Sequence, residues 1–599
     1  MRNIFLSFVF CLISVVAFGQ QSQLAGQYFR DGEYEKASTL YQQLYAKQSN
    51  NDYYFNRYIE CLLLLEQYDN CEKVIKKELK KNPGKIQLYV TYGNLYERQY
   101  DDVKAEEMYE KAIKKMTKDR FGVTKLATAF TQMTKYDRAI EVYEKGGELL
   151  NDKGIFAYNL GTLYQRKDNK PKMIESYLNS ITENPARMNS VKGLFQKYLR
   201  EDDFDELQTQ LYAKIQDDNE VTAYPELLQW VFVQKKDYSG ALRQARALDR
   251  RLDENGGRVY KLAKVAANDK DYDAAIAAYD YIVSEKGMAS SFYIDAKKEI
   301  LRAKRNKIIE GFDYTNEDIL SLEVEYNSFL GEFGRSKVTA SIVKELADLH
   351  AFYLKDTDEA IKLLNELVAY PGINQNLQAE SKISLGDFYL IKGEIWEATL
   401  LYSQVDKAFK EDLLGHEARF RNAKLAYYAG DYPWAQAQFD VLKASTSKLI
   451  SNDAIDLSVF IMDNLGLDTT ATSLTYYSEA DLLLFQNKHD AAFEKLDSLT
   501  AQFPEHSLED DVYYLKAQIY TKLRKYTDAA KMYALIIEKY PEEIRADNAI
   551  YELGGLYETH LNDKEKAKEL YETLFIDYSG STLAVEGRKK YRALRGDDI

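Results

Sequence analysis

A chain of 599 residues is too long for one compact core, and its 80 Lys and Arg against 95 Asp and Glu leave a net charge of −15 that repels phosphate backbones and disfavours a nucleic-acid role. Hydrophobic content of 45%, with only 8 prolines and 29 glycines, reads as a folded, all-helical protein with little material for β-turns or disordered linkers. Its 49 tyrosines supply large amphipathic side chains for packing and for contact surfaces.

Residues 1–19 carry one charge, Arg2, then an apolar run from Ile4 to Phe18, and close on the small residues Ala17 and Gly19. The run is shorter than the ~18 apolar residues that span a bilayer, so it reads as a secretory signal peptide that leaves Gln20 as the mature N-terminus. No transmembrane segment is expected after cleavage. Cys11 lies inside the apolar run without the small neighbours of a lipobox, which disfavours a lipid anchor.

From Gln20 to Gly287 the chain repeats every 34 residues. Stepping from Ala37 by that distance reaches Cys71, Ala105, Ala139, Met173, Leu207, Ala241 and Ala275, and four residues after each stand Tyr41, Ile75, Tyr109, Tyr143, Tyr177, Leu211, Ala245 and Tyr279. In the third copy Tyr89, Gly93 and Tyr96 share one helical face, Gln99 to Asp102 form a polar turn, and Ala105, Tyr109 and Ala112 resume the period. Ala105 is small because two helices cross there. Pro83 and Pro185 stop the second helices of their units by removing a backbone donor. Because each unit buries its apolar face only against its neighbours, such a core grows linearly with length. Cys61 and Cys71 fall on the two helices of one unit and read either as small buried residues or as a disulfide.

This small, aromatic, small, aromatic and proline pattern resembles the tetratricopeptide repeat family. The resemblance implies an α-solenoid, a right-handed superhelix of helix-turn-helix units whose first helices line a concave surface. It is weaker where Met173 and Leu207 replace the small residue, leaving the crossing open there.

Residues 288–345 lose the columns and are expected as an irregular helical connector, with a helix from Leu320 toward Ser336. Residues 346–599 then form a second array, anchored at Ala360, Ala398, Ala435, Ala492, Ala529 and Ala567, spaced 38, 37, 57, 37 and 38 apart. The longest gap predicts an added helix and loop over Leu449 to Asp468. The junctions Phe503-Pro504-Glu505-His506-Ser507 and Tyr540-Pro541, followed by Asp510 to Ala517 and Asp547 to Gly554, resemble repeats of periplasmic outer-membrane-assembly and cell-division-coordination proteins of that superfamily. The acylated cysteine of the assembly lipoprotein is missing.

Catalytic and metal signatures fail. Asp269, Asp271 and Asp273 alternate as in a calcium loop, but Ala274 replaces the turn glycine and Asp280 the final glutamate, so they are expected to cap the helix carrying Ala275. No Walker loop, dinucleotide fingerprint, HExxH or nucleophile elbow occurs, and the five histidines are scattered. No enzyme activity, metal or cofactor is expected. Arg588, Lys589, Lys590, Arg592 and Arg595 read as the solvated face of a last helix, or as a patch for an acidic partner or lipid headgroup.

The candidate binding residues follow from register. Tyr477, Tyr514 and Tyr551 stand 37 apart, each three residues before Ala480, Ala517 and Gly554, and Phe420 matches them before Ala423. The resemblance puts this column on the concave face, where it anchors a peptide or else packs on the next repeat. Thr128 and Tyr158 fall on the groove side of the first array, and Asn94 alone matches a carboxylate-clamp position of the family's chaperone-binding members. The whole reads as an exported scaffold of a bacterial periplasm that takes extended segments of other proteins, envelope or outer-membrane components. The alternatives are a glycan or peptidoglycan binder and an accessory of outer-membrane assembly or secretion.

Overall fold

Gly93 and Tyr109 show why each unit closes as a pair of helices. A Cβ at Gly93 would stand 2.6 Å from Tyr109 Cδ1, so the bare backbone of the first helix lies directly against the ring of the second. The same pairing recurs at Gly161 with Tyr177, Gly386 with Tyr402 and Gly554 with Tyr571. Each aromatic sits four residues after the small anchor, and all eight anchors from Ala37 to Ala275 are at most 3% exposed, Met173 and Leu207 included.

The computed structural model describes residues 20–310, 314–445, 448–466, 471–504 and 506–597. The signal-like segment 1–19, Cys11 and the end of the expected insertion loop lie outside these. Among the described residues every regular element is helical. Two compact units are distinguished, one up to Ala296 and one from Lys297, the division falling within the helix Tyr293–Glu310.

In the first unit, residues 20–30 pair with Tyr34–Lys47, followed by Asp52–Leu64 with Tyr68–Lys81, Gln87–Arg98 with Asp102–Lys114, and Arg120–Gln132 with Tyr136–Leu150. Eight more α-helices run from Ala157–Arg166 to Tyr272–Tyr281, paired in order except that Asp203–Asp217 packs on Lys170–Glu183 and Ala223–Gln234 rather than on Met188–Tyr198. The turn within a pair is as periodic as the core. Gly32, Glu66, Tyr100, Thr134, Asp168, Lys236 and Lys270 all adopt left-handed backbone at the same step of the repeat. The unit of Leu207 departs from this, since its first helix ends at Tyr198 and the chain continues through an extended Leu199. Asp271 accepts the Ala274 amide at 3.0 Å, so the calcium-like acids do begin a helix as a cap. Cys61 and Cys71 are both free and fully buried.

The second unit continues the principle. After Asn316–Phe333, which starts on a Thr315/Asp318 capping box and ends before Gly334, Ala340–Leu349 leads to Thr357–Val368. Gln375–Lys392 pairs with Ile395–Ala408, Leu413–Tyr428 with Tyr432–Ser445, Thr472–Phe485 with His489–Gln502, Glu509–Lys522 with Tyr526–Lys539, and Ala546–Thr559 with Lys564–Ile576, before a last helix Ala584–Arg595. The insertion is the helix Lys448–Gly466. No helix of the described residues is long and apolar enough to cross a membrane.

Candidate functional site

Three successive first helices of the first unit, Asp52–Leu64, Gln87–Arg98 and Arg120–Gln132, enclose a groove of about 440 Å³. Phe55 and Leu88 form its buried floor, while Phe121, 76% exposed, stands at its wall. Thr91, Thr124 and Thr128 line it along one face. The Thr128 hydroxyl donates to the Thr124 carbonyl at 2.7 Å, so the side chain is held in place yet exposed. Asn56, Gln87 and Gln132 add side-chain amides, groups that both donate and accept as a peptide backbone requires.

At one end the Asp52 carboxylate accepts Lys85 Nζ and Lys125 Nζ, each at 3.0 Å. Burial pushes the Asp52 carboxyl up, but the hydrogen bonds from Lys125 and Lys85 outweigh it and hold it below the usual carboxylate range. Lys85 also reaches Glu78, which is 5% exposed and bound by Asn82 at 2.7 Å. The clamp ties three repeats together at the lip of the groove.

Of the other residues expected here, Asn94 is half-buried on Gln87–Arg98 and outside that lining. Tyr158 is engaged by its surroundings, its ring 5.5 Å from Tyr177 and beneath the Arg187 guanidinium at 5.2 Å.

In the second unit the aromatic column exists as a column, but other side chains cover two of its members. Tyr477 is 5% exposed and its ring lies 5.0 Å from Phe460 of the inserted helix. Tyr514 is 8% exposed, 5.5 Å from Tyr533 and 5.0 Å from the Arg545 guanidinium. Tyr551 and Phe420 are half-buried, each against an aromatic of its own second helix, Tyr571 at 6.0 Å and Phe439 at 5.6 Å.

Sequence reasoning missed the polar centre beside this column. Arg545 Nε donates to Asp511 Oδ1 at 2.6 Å, and both side chains are nearly out of contact with water. Burial pushes the Asp511 carboxyl up while Arg545 pulls it down. The neighbouring Asp510, 4% exposed, is pushed up to about 7 by burial and by the Asp511 charge. Asp511 opens one first helix and Arg545 caps the next, 34 residues on where the local repeat is 37, so no column of the array joins them in the sequence.

Among the described residues no group of three or more His, Cys, Asp or Glu side chains could hold a metal ion. Burial pushes the thiols of Cys61 and Cys71 up to about 12, which leaves them weak nucleophiles.

Paired helices in register, glycine against tyrosine, with grooves lined by first helices, define a helical-repeat scaffold. Residues 477–544 match the tetratricopeptide repeat family model, so that stretch of the chain carries tetratricopeptide repeats. A TPR repeat-containing protein of Methanocaldococcus jannaschii is 22% identical over 281 residues, and the match spans 46% of each chain, about half the length of that relative. Among solved structures, a tetratricopeptide repeat protein from Parabacteroides merdae aligns with 53% of this chain and 99% of its own at 13% identity and a TM-score of 0.28. Yeast Tom70 aligns with 96% of this chain and 99% of its own at 13% identity and a TM-score of 0.27.

Proposed function

We propose that the chain is an exported, non-enzymatic scaffold of the bacterial cell envelope that holds extended segments of partner proteins in the groove between Phe55 and Phe121. The observation that carries this reading is the lining itself. An exposed aromatic wall, an apolar floor and three side-chain amides match an extended peptide, which needs apolar anchoring and backbone hydrogen bonds together. Export and a periplasmic location rest on the signal-like pattern of residues 1–19, and envelope or outer-membrane partners follow from that location.

A photoreactive amino acid placed at Thr128, in the groove, and separately at Tyr100, 94% exposed on a turn, tests the binding claim. Protein adducts from Thr128 and none from Tyr100 are expected. Adducts to cell-wall glycan, or equal labelling from both positions, would contradict it. N-terminal sequencing of the envelope fraction tests export, with Gln20 expected as the first residue and an intact Met1 contradicting it.

A further inference from the structure

The second unit contains one helix beyond the two of each repeat. Ala435 and Ala492 stand 57 residues apart where the next pair of anchors stands 37 apart, and the excess is the helix Lys448–Gly466. That helix packs along Tyr432–Ser445, yet the helices before and after it also meet. The Tyr432 hydroxyl shares a hydrogen bond of 2.9 Å with Ser478 Oγ and donates to Thr475 Oγ1 at 3.3 Å, and Lys424 Nζ stands 3.7 Å from Asp481. The repeats on either side of the insertion therefore touch each other directly.

What the inserted helix covers is the aromatic column. Phe460, 4% exposed, lies 5.0 Å from Tyr477 and 6.3 Å from Tyr427, and the Arg545 guanidinium sits 5.4 Å from its ring while also lying against Tyr514. Asn464 accepts a hydrogen bond from Ser507 at 3.1 Å, and Ser458 donates to Asp440 at 3.1 Å. Asp456 and Asp453 precede Phe460 by about one and two helical turns. Burial pushes the carboxyls of Asp456 and Asp453 up, and the charges of Arg545 and Lys424 offset this only in part. Ile455 and Met462, on the same helix, remain exposed. A phenylalanine set among tyrosines, on a helix that also carries Asp453, Asp456 and Asp463, is the way an acidic amphipathic helix occupies a groove.

We propose that helix Lys448–Gly466 is a built-in ligand of this face, and that the partner the face accepts is an acidic amphipathic helix with a phenylalanine in the place of Phe460. The inference rests on reading the chain as a scaffold for protein segments. A tethered ligand acts at an effective concentration in the millimolar range, so a free helix meets an occupied site in the unaltered chain.

The probe is a labelled synthetic peptide of residues 448–466, titrated by fluorescence anisotropy into the full chain and into its Phe460→Ala variant. The peptide is expected to bind the folded variant at least tenfold more tightly than the unaltered chain, and a peptide with alanine at the Phe460 position is expected to lose that binding. No binding to a folded variant, or equal binding of both peptides, would overturn the proposal. If the variant fails to fold, hydrogen exchange of the unaltered chain decides. Amides of Lys448–Gly466 should exchange at least tenfold faster than those of Thr472–Phe485, and equal protection would make the helix an integral part of the core. These readouts concern the second unit alone, so failure here is distinct from failure of the Thr128 crosslink.

Discussion

Replacing Gly93 by alanine sets two effects of opposite sign against each other. In a helix interior the change gains about 1 kcal/mol of propensity. The new Cβ, however, would stand 2.6 Å from Tyr109 Cδ1 and 2.9 Å from Cζ, well inside the ~3.5–4.0 Å of a favourable carbon contact. Tyr109 has little room to retreat. It is 3% exposed, its hydroxyl donates to Glu97 at 3.0 Å, its ring packs on Phe130 at 5.5 Å, and Lys135 lies 5.0 Å from its centroid. Overpacking of this kind costs about 1–3 kcal/mol, so the net expectation is a loss of roughly 1 kcal/mol. Local stability in a repeat array is set by nearest neighbours, so the assay is native-state hydrogen exchange of helices Gln87–Arg98 and Asp102–Lys114 in the full chain. In a Tyr109→Leu background the same Gly93→Ala change should recover the propensity gain, giving a coupling of about 1–2 kcal/mol. Increased protection from Gly93→Ala alone would refute the argument that the ring is held against bare backbone.

Ala139→Leu, at a fully buried crossing point, should destabilise its repeat by about 1–3 kcal/mol in the same exchange assay, whereas Thr128→Ala in the exposed groove should stay within about 0.5 kcal/mol. Thr134 is β-branched yet left-handed at φ 58°, so Thr134→Gly should raise local stability by about 1 kcal/mol, and a loss would mean that the turn is not strained. Asp510→Asn tests the buried acid. Because burial and the Asp511 charge raise the folded carboxyl from 3.8 to about 7, its ionisation removes stability as pH rises through that window. The variant should therefore melt higher than the unaltered chain at pH 8 and lose that advantage by pH 4, and melting curves that coincide at both pH values would contradict this. Replacing Tyr477, Tyr514 and Tyr551 together by serine should lower the melting temperature of the second unit, with the larger part from Tyr477 and Tyr514, whose rings are buried, at about 3 kcal/mol or more each. An unchanged melting curve would place those rings outside the core.

The repeat was legible because its columns record contacts between neighbours at constant spacing. Gly93, Ala105 and Tyr109 meet through local geometry, and any chain that keeps their intervals keeps their contact. The added helix was legible for the same reason, as an interval of 57 among intervals of 37 and 38. What lies over a column is a different kind of fact. Register places Tyr477 and Tyr514 in one line but carries no information that Phe460 and Arg545 cover them, since that depends on how the inserted helix and the start of the next repeat's first helix dock. Asp510 and Asp511 follow Glu509 at the start of a helix and read as ordinary first-turn acids that complement the dipole. Their burial arises from the next repeat, through Arg545. The lysine clamp on Asp52 was invisible for the same reason, because Lys85 and Lys125 come from two later repeats.

The central claim, a scaffold that grips protein segments on its first helices, is tested most directly by hydrogen exchange of the full chain with and without the protein crosslinked through Thr128. The account predicts added protection in Asp52–Leu64, Gln87–Arg98 and Arg120–Gln132. Protection confined to the second helices Tyr68–Lys81, Asp102–Lys114 and Tyr136–Leu150 would contradict it.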